Sequence, residues 1–410
     1  MKKKGFTSTI LHADRQGNPE HGVLHKAIHP SVAYGYDDAR ELAEVFQNKR
    51  SGFAYGRQGN PTVEALAQKV TLMEQGLASV VFATGMAAIG STLLALLRAG
   101  DHIVSSAYLF GNTNSLFATL KSFGVEVTFV DATDVKQVEA AVQDNTRLVF
   151  VETIANPVTQ VSDLAAIGDL CESRGLIYFV DNTMTSPSLF LPVTVKAGLI
   201  INSLTKYIGG HGNALGGCVT DTGLFDWNSF DNIYDNYKNR EAAHWGITQI
   251  RKKGLRDFGA SLGPEAAHHL SVGSETLTMR MQKACDNALA LAEFCQQHAR
   301  VKNVFYPGLK NHPQHARATE LFSHYGAIFS IELDDGIDCF DFLNALELVV
   351  SSSNLGDNRT LAIPVAHTIY FEMGAERRAS MGIPDSMVRF SVGIEDQEDL
   401  LSDFTQALSG

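Results

Sequence analysis

From about residue 62 the chain alternates short apolar runs with stretches of helical periodicity. SVVFAT, HIVSSAY, EVTFVD, RLVFVET, LIYFVDNT and GLIINSL are the runs. TVEALAQKVTLMEQG, MAAIGSTLLALLRAG, TNSLFATLKSFG, VKQVEAAVQD and LAAIGDLCESRG are the helical stretches around them. This rhythm constrains the fold more than any other feature. A strand apolar along its whole length must be covered on both faces, and a helix between two strands returns the chain so that the next runs parallel. The expected class is therefore α/β with a mostly parallel sheet, and ligands gather at the carboxyl ends of such strands.

The rhythm changes near residue 263. A long helical pattern, GPEAAHHLSVGSETLTMRMQKACDNALALAEFCQQHA, leads to AIFSIEL, LVVSSS and VRFSVGI, which read as strands. A chain of 410 residues exceeds what one core usually serves. We expect a large domain over 62–262 and a smaller C-terminal α/β domain over 263–410. The first sixty residues are rich in His, Gly and turn formers, with one amphipathic stretch, DDARELAEVFQNK. Residues 1–61 read as an arm that reaches away from the core.

Several runs end in polar residues. SVVFAT passes into Thr84-Gly85-Met86 at a helix start, where free N–H groups and a glycine make an anion site; the plainer reading is a turn at Gly85. LIYFVDNT carries Asp181 at its end. A buried carboxylate there needs a partner: a protonated ring nitrogen, a helix N-terminus or an arginine. GLIINSL runs into Ser203, Thr205 and Lys206, followed by Gly209, Gly210, Gly212, Gly216 and Gly217. A lone lysine there would snorkel to the surface. Taken together, the three strand ends supply a phosphate cradle, a partner for a pyridinium nitrogen and an amine for a Schiff base. That is the protein half of pyridoxal 5′-phosphate (PLP) chemistry. On this reading the glycines clear the cofactor ring and let Lys206 swing.

Composition excludes other classes. With 45 acidic against 33 basic residues, a net charge of −12 repels nucleic acid. Five scattered cysteines without CxxC point to no disulfide framework and no metal site, and fit a reducing cytoplasm. No apolar window is long enough to span a membrane, and the basic start, MKKKGFTSTILHADRQ, lacks an apolar signal core. No G-x-G-x-x-G follows a first strand, so a dinucleotide site is not expected.

The chain resembles the PLP-dependent enzymes of Cys/Met metabolism over about residues 8–408. YGRQGNPT, FATGMAAI, ETIANP, VDNT, NSLTKYIGGH, GSETLTMRM and VRFSVGIEDQEDL carry the resemblance. It implies the PLP-dependent transferase fold of the aspartate aminotransferase type. It implies that Lys206 carries the cofactor, that Asp181 pairs with the pyridine nitrogen beside Thr183, and that Asn156 touches the ring 3-oxygen. Gly85, Met86, Ser203 and Thr205 would hold the phosphate. Tyr55 and Arg57 would enter the neighbouring subunit's site, Arg57 at the phosphate and Tyr55, with Lys206, in a catalytic role near the substrate. Arg389 would grip the substrate α-carboxylate, helped by Asn354. The same resemblance implies a homodimer or homotetramer with shared sites.

Departures narrow the reaction. LFGNT places Phe110 where the family has a stacking tyrosine; the ring face remains and the phenol is lost. O-succinylhomoserine sulfhydrylases are similar in that Phe. NLGDNRTL is similar to the homoserine sulfhydrylases, and Asn112 stands where methionine γ-lyases have cysteine. AIPVAHTIY keeps Pro364 and His367 shifted from the family pattern, and Asn202 and Asn213 replace a His and an Asp. The expected activity is γ-replacement on an O-acylated homoserine by sulfide, a thiol or cysteine. The alternative is a lyase giving a keto acid, ammonia and a thiol. A non-catalytic protein on the same fold is a third class, against which intact Lys206, Asp181 and Arg389 weigh.

Overall fold

Seven strands form the larger sheet: β1 (Ala78–Phe82), β2 (His102–Ser106), β3 (Glu126–Val130), β4 (Thr146–Glu152), β5 (Ile177–Asp181), β6 (Leu199–Asn202) and β7 (Gly217–Asp221). Their spatial order is β1-β7-β6-β5-β4-β2-β3. The computed structural model describes residues 4–16, 20–239 and 241–409. Residues 1–3 and 17–19 of the expected arm, residue 240 of the large region and residue 410 of the C-terminal region lie outside the described residues.

The apolar runs become these strands because nearly all their side chains are buried. β2, β6 and β7 are buried throughout, and β5 is buried up to Asp181. The helices between them cover both faces. Ile200, Val180 and Val149 face one apolar cluster, while Ile201, Phe179 and Phe150 face another. That division is the two-residue alternation of a strand buried on both sides.

One strand was not legible in the apolar rhythm. β7, GCVTD, inserts between β1 and β6 and runs antiparallel to both. The sheet is thus mostly parallel with one reversed strand, and the fold is mixed α/β as expected. The smaller sheet has five strands in the order β10-β11-β12-β9-β8. They are β8 (Val301–Phe305), β9 (Ile328–Leu333), β10 (Val350–Ser351), β11 (Leu361–Pro364) and β12 (Met387–Ser391). β8 and β11 were not expected, and LVVSSS yields only two strand residues. The long helical pattern before this sheet is two helices, Pro264–Ser274 and Leu277–Gln296, broken at Glu275-Thr276.

Helix ends follow the local sequence. Asn60 caps the helix Pro61–Glu74 by accepting the Thr62 and Val63 N–H groups, with proline at its first position. Thr84 caps Gly85–Leu96 by accepting from Ala87 N–H. Before residue 61 the chain buries little. The helix Ala39–Phe46 has no buried residue, and Leu24, Val32 and Phe46 are exposed. One anchor of the first sixty residues is Asp14, which lies 3.3 Å from Nζ of the fully buried Lys69; Lys69 is also 3.4 Å from Glu275.

Candidate active site

The carboxyl ends of β4, β5 and β6 open into a cavity of about 470 Å³, closed on its far side by Arg389 of the smaller sheet and by Ser353, Asn354, Leu355 and Ile369 of the loops beside it. Each wall has a local cause. β5 ends at Asp181, whose Oδ1 accepts the Thr183 N–H at 2.9 Å. Thr183 Oγ1 in turn accepts the Ser203 N–H at 2.8 Å, which ties the end of β5 to the start of the Lys206 loop. Thr205 Oγ1 donates to the Gly216 carbonyl at 3.2 Å and accepts its N–H at 3.0 Å, closing that loop. Gly85 and Met86 open a helix at the cavity wall. Their N–H groups, in the first turn, have no intrahelical acceptor.

Lys206 Nζ donates to Asn354 Oδ1 at 2.7 Å. Burial, with the Arg389 charge nearby, lowers its pKa to about 8. Burial raises Asp181 to about 6, against the Thr183 hydrogen bonds that lower it. Arg389 stands on β12, 1% exposed. Its Nη2 donates to the carbonyls of Asn354 at 2.9 Å and Ser353 at 3.3 Å, while its Nε has no partner. Among the described residues it pairs with no carboxylate. A buried guanidinium without a counter-ion costs several kcal/mol, about the worth of the anion it lacks. Burial lowers its pKa to about 10.

The cavity brings together Lys206, Asp181, Thr183, Gly85, Met86, Phe110, Asn156, Ser203, Thr205, Asn354 and Arg389. It does not include Tyr55 or Arg57. Arg57 Nη1 donates to the Arg256 carbonyl at 2.5 Å, and its guanidinium lies 5.5 Å from the Tyr55 ring centre. Tyr55 is exposed.

Sequence reasoning missed Glu152 and Ile369 as lining residues, and met Asn112, which also lines the cavity, only as a departure from the methionine γ-lyases. Glu152 had a signal: like Asp181 it is an acid at the end of an apolar run. Ile369 lies in the divergent AIPVAHTIY stretch. His367 of that stretch is exposed and bonds the Asp385 carbonyl instead.

The glycines after Lys206 are corrected. None of them lines the cavity. A Cβ on Gly210, at φ 71°, would lie 2.0 Å from the Arg280 guanidinium. That group donates to the carbonyls of Tyr207, Ile208 and Gly273, locking the turn after the lysine from behind. A Cβ on Gly217 would lie 2.2 Å from the Thr84 carbonyl, where β7 meets the cofactor helix. These glycines admit neighbouring protein, not a ring.

The residues fit PLP. Asn156 Oδ1 is buried without a partner, and a Cβ on Gly85 would lie 3.0 Å from Ser203 Oγ, so a side chain there would crowd that wall. An amine, a carboxylate and a ring of N–H and hydroxyl donors line one space. They match an aldehyde, a pyridine nitrogen and a phosphate.

Comparison with known proteins gives the same picture. Residues 7–409 match the family described as Cys/Met metabolism PLP-dependent enzyme. The L-methionine gamma-lyase of Fusobacterium nucleatum subsp. polymorphum is 36% identical, covering 99% of this chain and 98% of that one. The homocysteine synthase of Schizosaccharomyces pombe is 32% identical, covering 100% and 99%. A putative O-acetylhomoserine (thiol)-lyase of Campylobacter jejuni, solved with an N′-pyridoxyl-lysine-5′-monophosphate, superposes with TM-score 0.94 at 28% identity, covering 99% of this chain and 100% of that chain.

Proposed function

The chain belongs to the Cys/Met-metabolism family of PLP-dependent enzymes, and on that premise we propose that it joins a sulfur nucleophile to Cγ of an O-acylated homoserine. The products are homocysteine, methionine or cystathionine, according to the nucleophile. One observation carries this reading: among the described residues that this chain itself contributes to the cavity there is no tyrosine, cysteine or histidine, so Tyr55 of a second copy would be the one phenol to reach it. Phe110 stands where an acid would help a thiol depart. A carboxylate leaves Cγ without a proton, whereas a thiolate gains much more from one. Homologues named homocysteine synthase and O-acetyl-L-homoserine sulfhydrylase support the same side.

Bound PLP supplies an electron sink that makes the proton on the carbon bearing the amino group removable. Gly85, Met86, Ser203 and Thr205 hold its phosphate, Asn156 its ring oxygen, and Asp181 its ring nitrogen. Phe110 covers a ring face. Arg389 holds the substrate carboxylate through the donors that have no protein acceptor, with Asn354 keeping its orientation. Lys206, once free, takes the Cα proton and moves protons at Cβ; an amine near 8 does both at neutral pH. Asn354 Oδ1 holds that amine within reach.

Tyr55 and Arg57 serve the site of a second copy, with residues 1–61 as the arm that carries them, 62–262 as the cofactor domain and 263–410 as the substrate-side domain. The assembly is a homodimer or a tetramer of two dimers. All five cysteines are buried and free, which suits the cytoplasm, and no helix among the described residues is long and apolar enough to cross a membrane.

The second reading is elimination, favoured by the identity with the Fusobacterium methionine lyase. One panel separates them. Purified holoenzyme is given O-acetyl- or O-succinylhomoserine with sulfide, cysteine or methanethiol, and methionine or cystathionine alone. Thioether or homocysteine from an acyl homoserine is the expected result. Keto acid from methionine or cystathionine, with no product from any acyl pairing, transfers the assignment to the lyase.

A further inference from the structure

Two carboxyl groups, not one, stand at the ring-nitrogen end of the cavity. β4 and β5 finish side by side, and their register pairs Glu152 with Asp181. Neighbouring strands lie about 4.8 Å apart, so the two side chains are in each other's field. Both line the cavity, and Glu152 is 5% exposed. Among the described residues no lysine, arginine or histidine forms an ion pair with either.

The pair is unequal in what it receives. Asp181 accepts the Thr183 N–H. The Thr183 hydroxyl, already accepting from Ser203 N–H, has its own proton free for Asp181. Glu152 Oε1 accepts a single N–H, that of Phe110, at 2.7 Å. The charged groups that face Glu152 are Asp181 from β5 and, across the cavity, Lys206 and Arg389; the Tyr370 hydroxyl also faces it but donates to the Asn156 and Leu109 carbonyls. Two carboxyls at neighbouring strand ends and out of water resist ionising together, and the one with more donors keeps the charge. Burial first, and the Asp181 charge second, push Glu152 well above the usual carboxyl range.

Phe110 precedes the helix Gly111–Lys121 and has no side-chain cap of its own. Its N–H ends on Glu152, so the carboxyl fixes the backbone from which the Phe110 ring enters the cavity. We propose that Glu152 is a positioning residue: a protonated carboxyl that holds Phe110 against the cofactor and leaves Asp181 as the single anion for the ring nitrogen. This rests on PLP binding and holds whichever amino acid is the substrate.

The test uses the holoenzyme of Glu152→Gln and Glu152→Ala. Three quantities are read: the dissociation constant of PLP, the circular dichroism of the bound cofactor's visible band, and the pH midpoint of that band. Glutamine is neutral and still accepts the Phe110 N–H. Its midpoint should move by less than about 0.5 pH unit and its PLP affinity by less than about threefold. Alanine should weaken PLP about tenfold and diminish the visible dichroism, because the hydrogen bond and the ring placement go together. A midpoint falling by more than about 0.5 pH unit in the glutamine variant overturns the proposal, since it means that a negative charge was removed. Unchanged affinity and dichroism in the alanine variant also overturn it. If alanine prevents folding, the glutamine titration still decides.

Discussion

The strand-end cavity and the N-terminal arm treat their side chains in opposite ways. At the ends of β4, β5 and β6, polar and charged groups are buried and fixed by hydrogen bonds that stay within the chain. In the arm, apolar groups are exposed: Leu24, Val32, Phe46 and Tyr55 face outward, and the helix Ala39–Phe46 buries nothing. A buried charge without a partner costs several kcal/mol, and so does an arm that orders without burying apolar surface. Both regions therefore carry groups that the described residues of one chain leave unsatisfied. In the cavity, Arg389 Nε has no partner and the guanidinium pairs with no carboxylate among the described residues. The arm lacks a surface. On the proposed function, a second copy would cover the arm and receive Tyr55 and Arg57 at its own cavity.

The sharpest way to break this comparison is to disable the two regions on different chains. Lys206→Ala alone should lower turnover by about a thousandfold or more, since it removes the proton carrier. Arg57→Ala alone should also be strongly impaired. Co-expressed with different tags and purified as a mixed dimer, the two should regain about half the wild-type activity, because one of the two symmetric sites then holds both intact residues. A mixed dimer as dead as its parents would confine each site to one chain.

Arg389 tests the cavity side with a smaller effect. Arg389→Lys keeps the charge but loses the fixed fork of donors. The KM for the amino-acid substrate should rise about 10- to 100-fold with a smaller change in kcat, while PLP remains bound. A loss confined to kcat would place this residue at the reacting atoms and not at the carboxylate.

The same contrast explains what sequence could tell. The strands around the cofactor were legible because burial on both faces leaves uninterrupted apolar runs. Asp181 and Lys206 stood out because each breaks such a run at its end. β7 did not, since GCVTD is short, sits in a glycine-rich stretch and becomes a buried strand only by pairing with β1 and β6. The break at Glu275-Thr276 carries no proline; it serves Lys69, which lies far away in sequence. The glycines after Lys206 were read toward the ligand because ligand and protein approach look alike in one dimension. Only the three-dimensional neighbours, such as Arg280 beside Gly210 and the Thr84 carbonyl beside Gly217, separate them. The arm showed an amphipathic stretch but not what covers it, because the pattern of one chain does not specify a partner surface.

The smallest expected effect concerns the floor beneath the cavity. Glu74 is fully buried, and its Oε1 accepts from Asn202 at 2.6 Å and Asn182 at 3.0 Å. Those asparagines adjoin Ser203 and Asp181, so one carboxyl clamps the ends of β5 and β6. Burial raises its pKa to about 7, although both amides lower it. A group whose folded pKa exceeds the unfolded one binds its proton more tightly when folded. It therefore stabilises the fold fully below about pH 4.5, and that contribution is lost as pH rises through about 7. Glu74→Gln keeps an acceptor for the amides and cannot ionise. Without cofactor, wild-type Tm should fall between these two pH values, and the variant's should fall less, with the two proteins similar at the acid end. Curves that stay parallel across that window would mean the carboxyl is already charged under the strands. The clamp would then have to find a cation that the described residues do not provide.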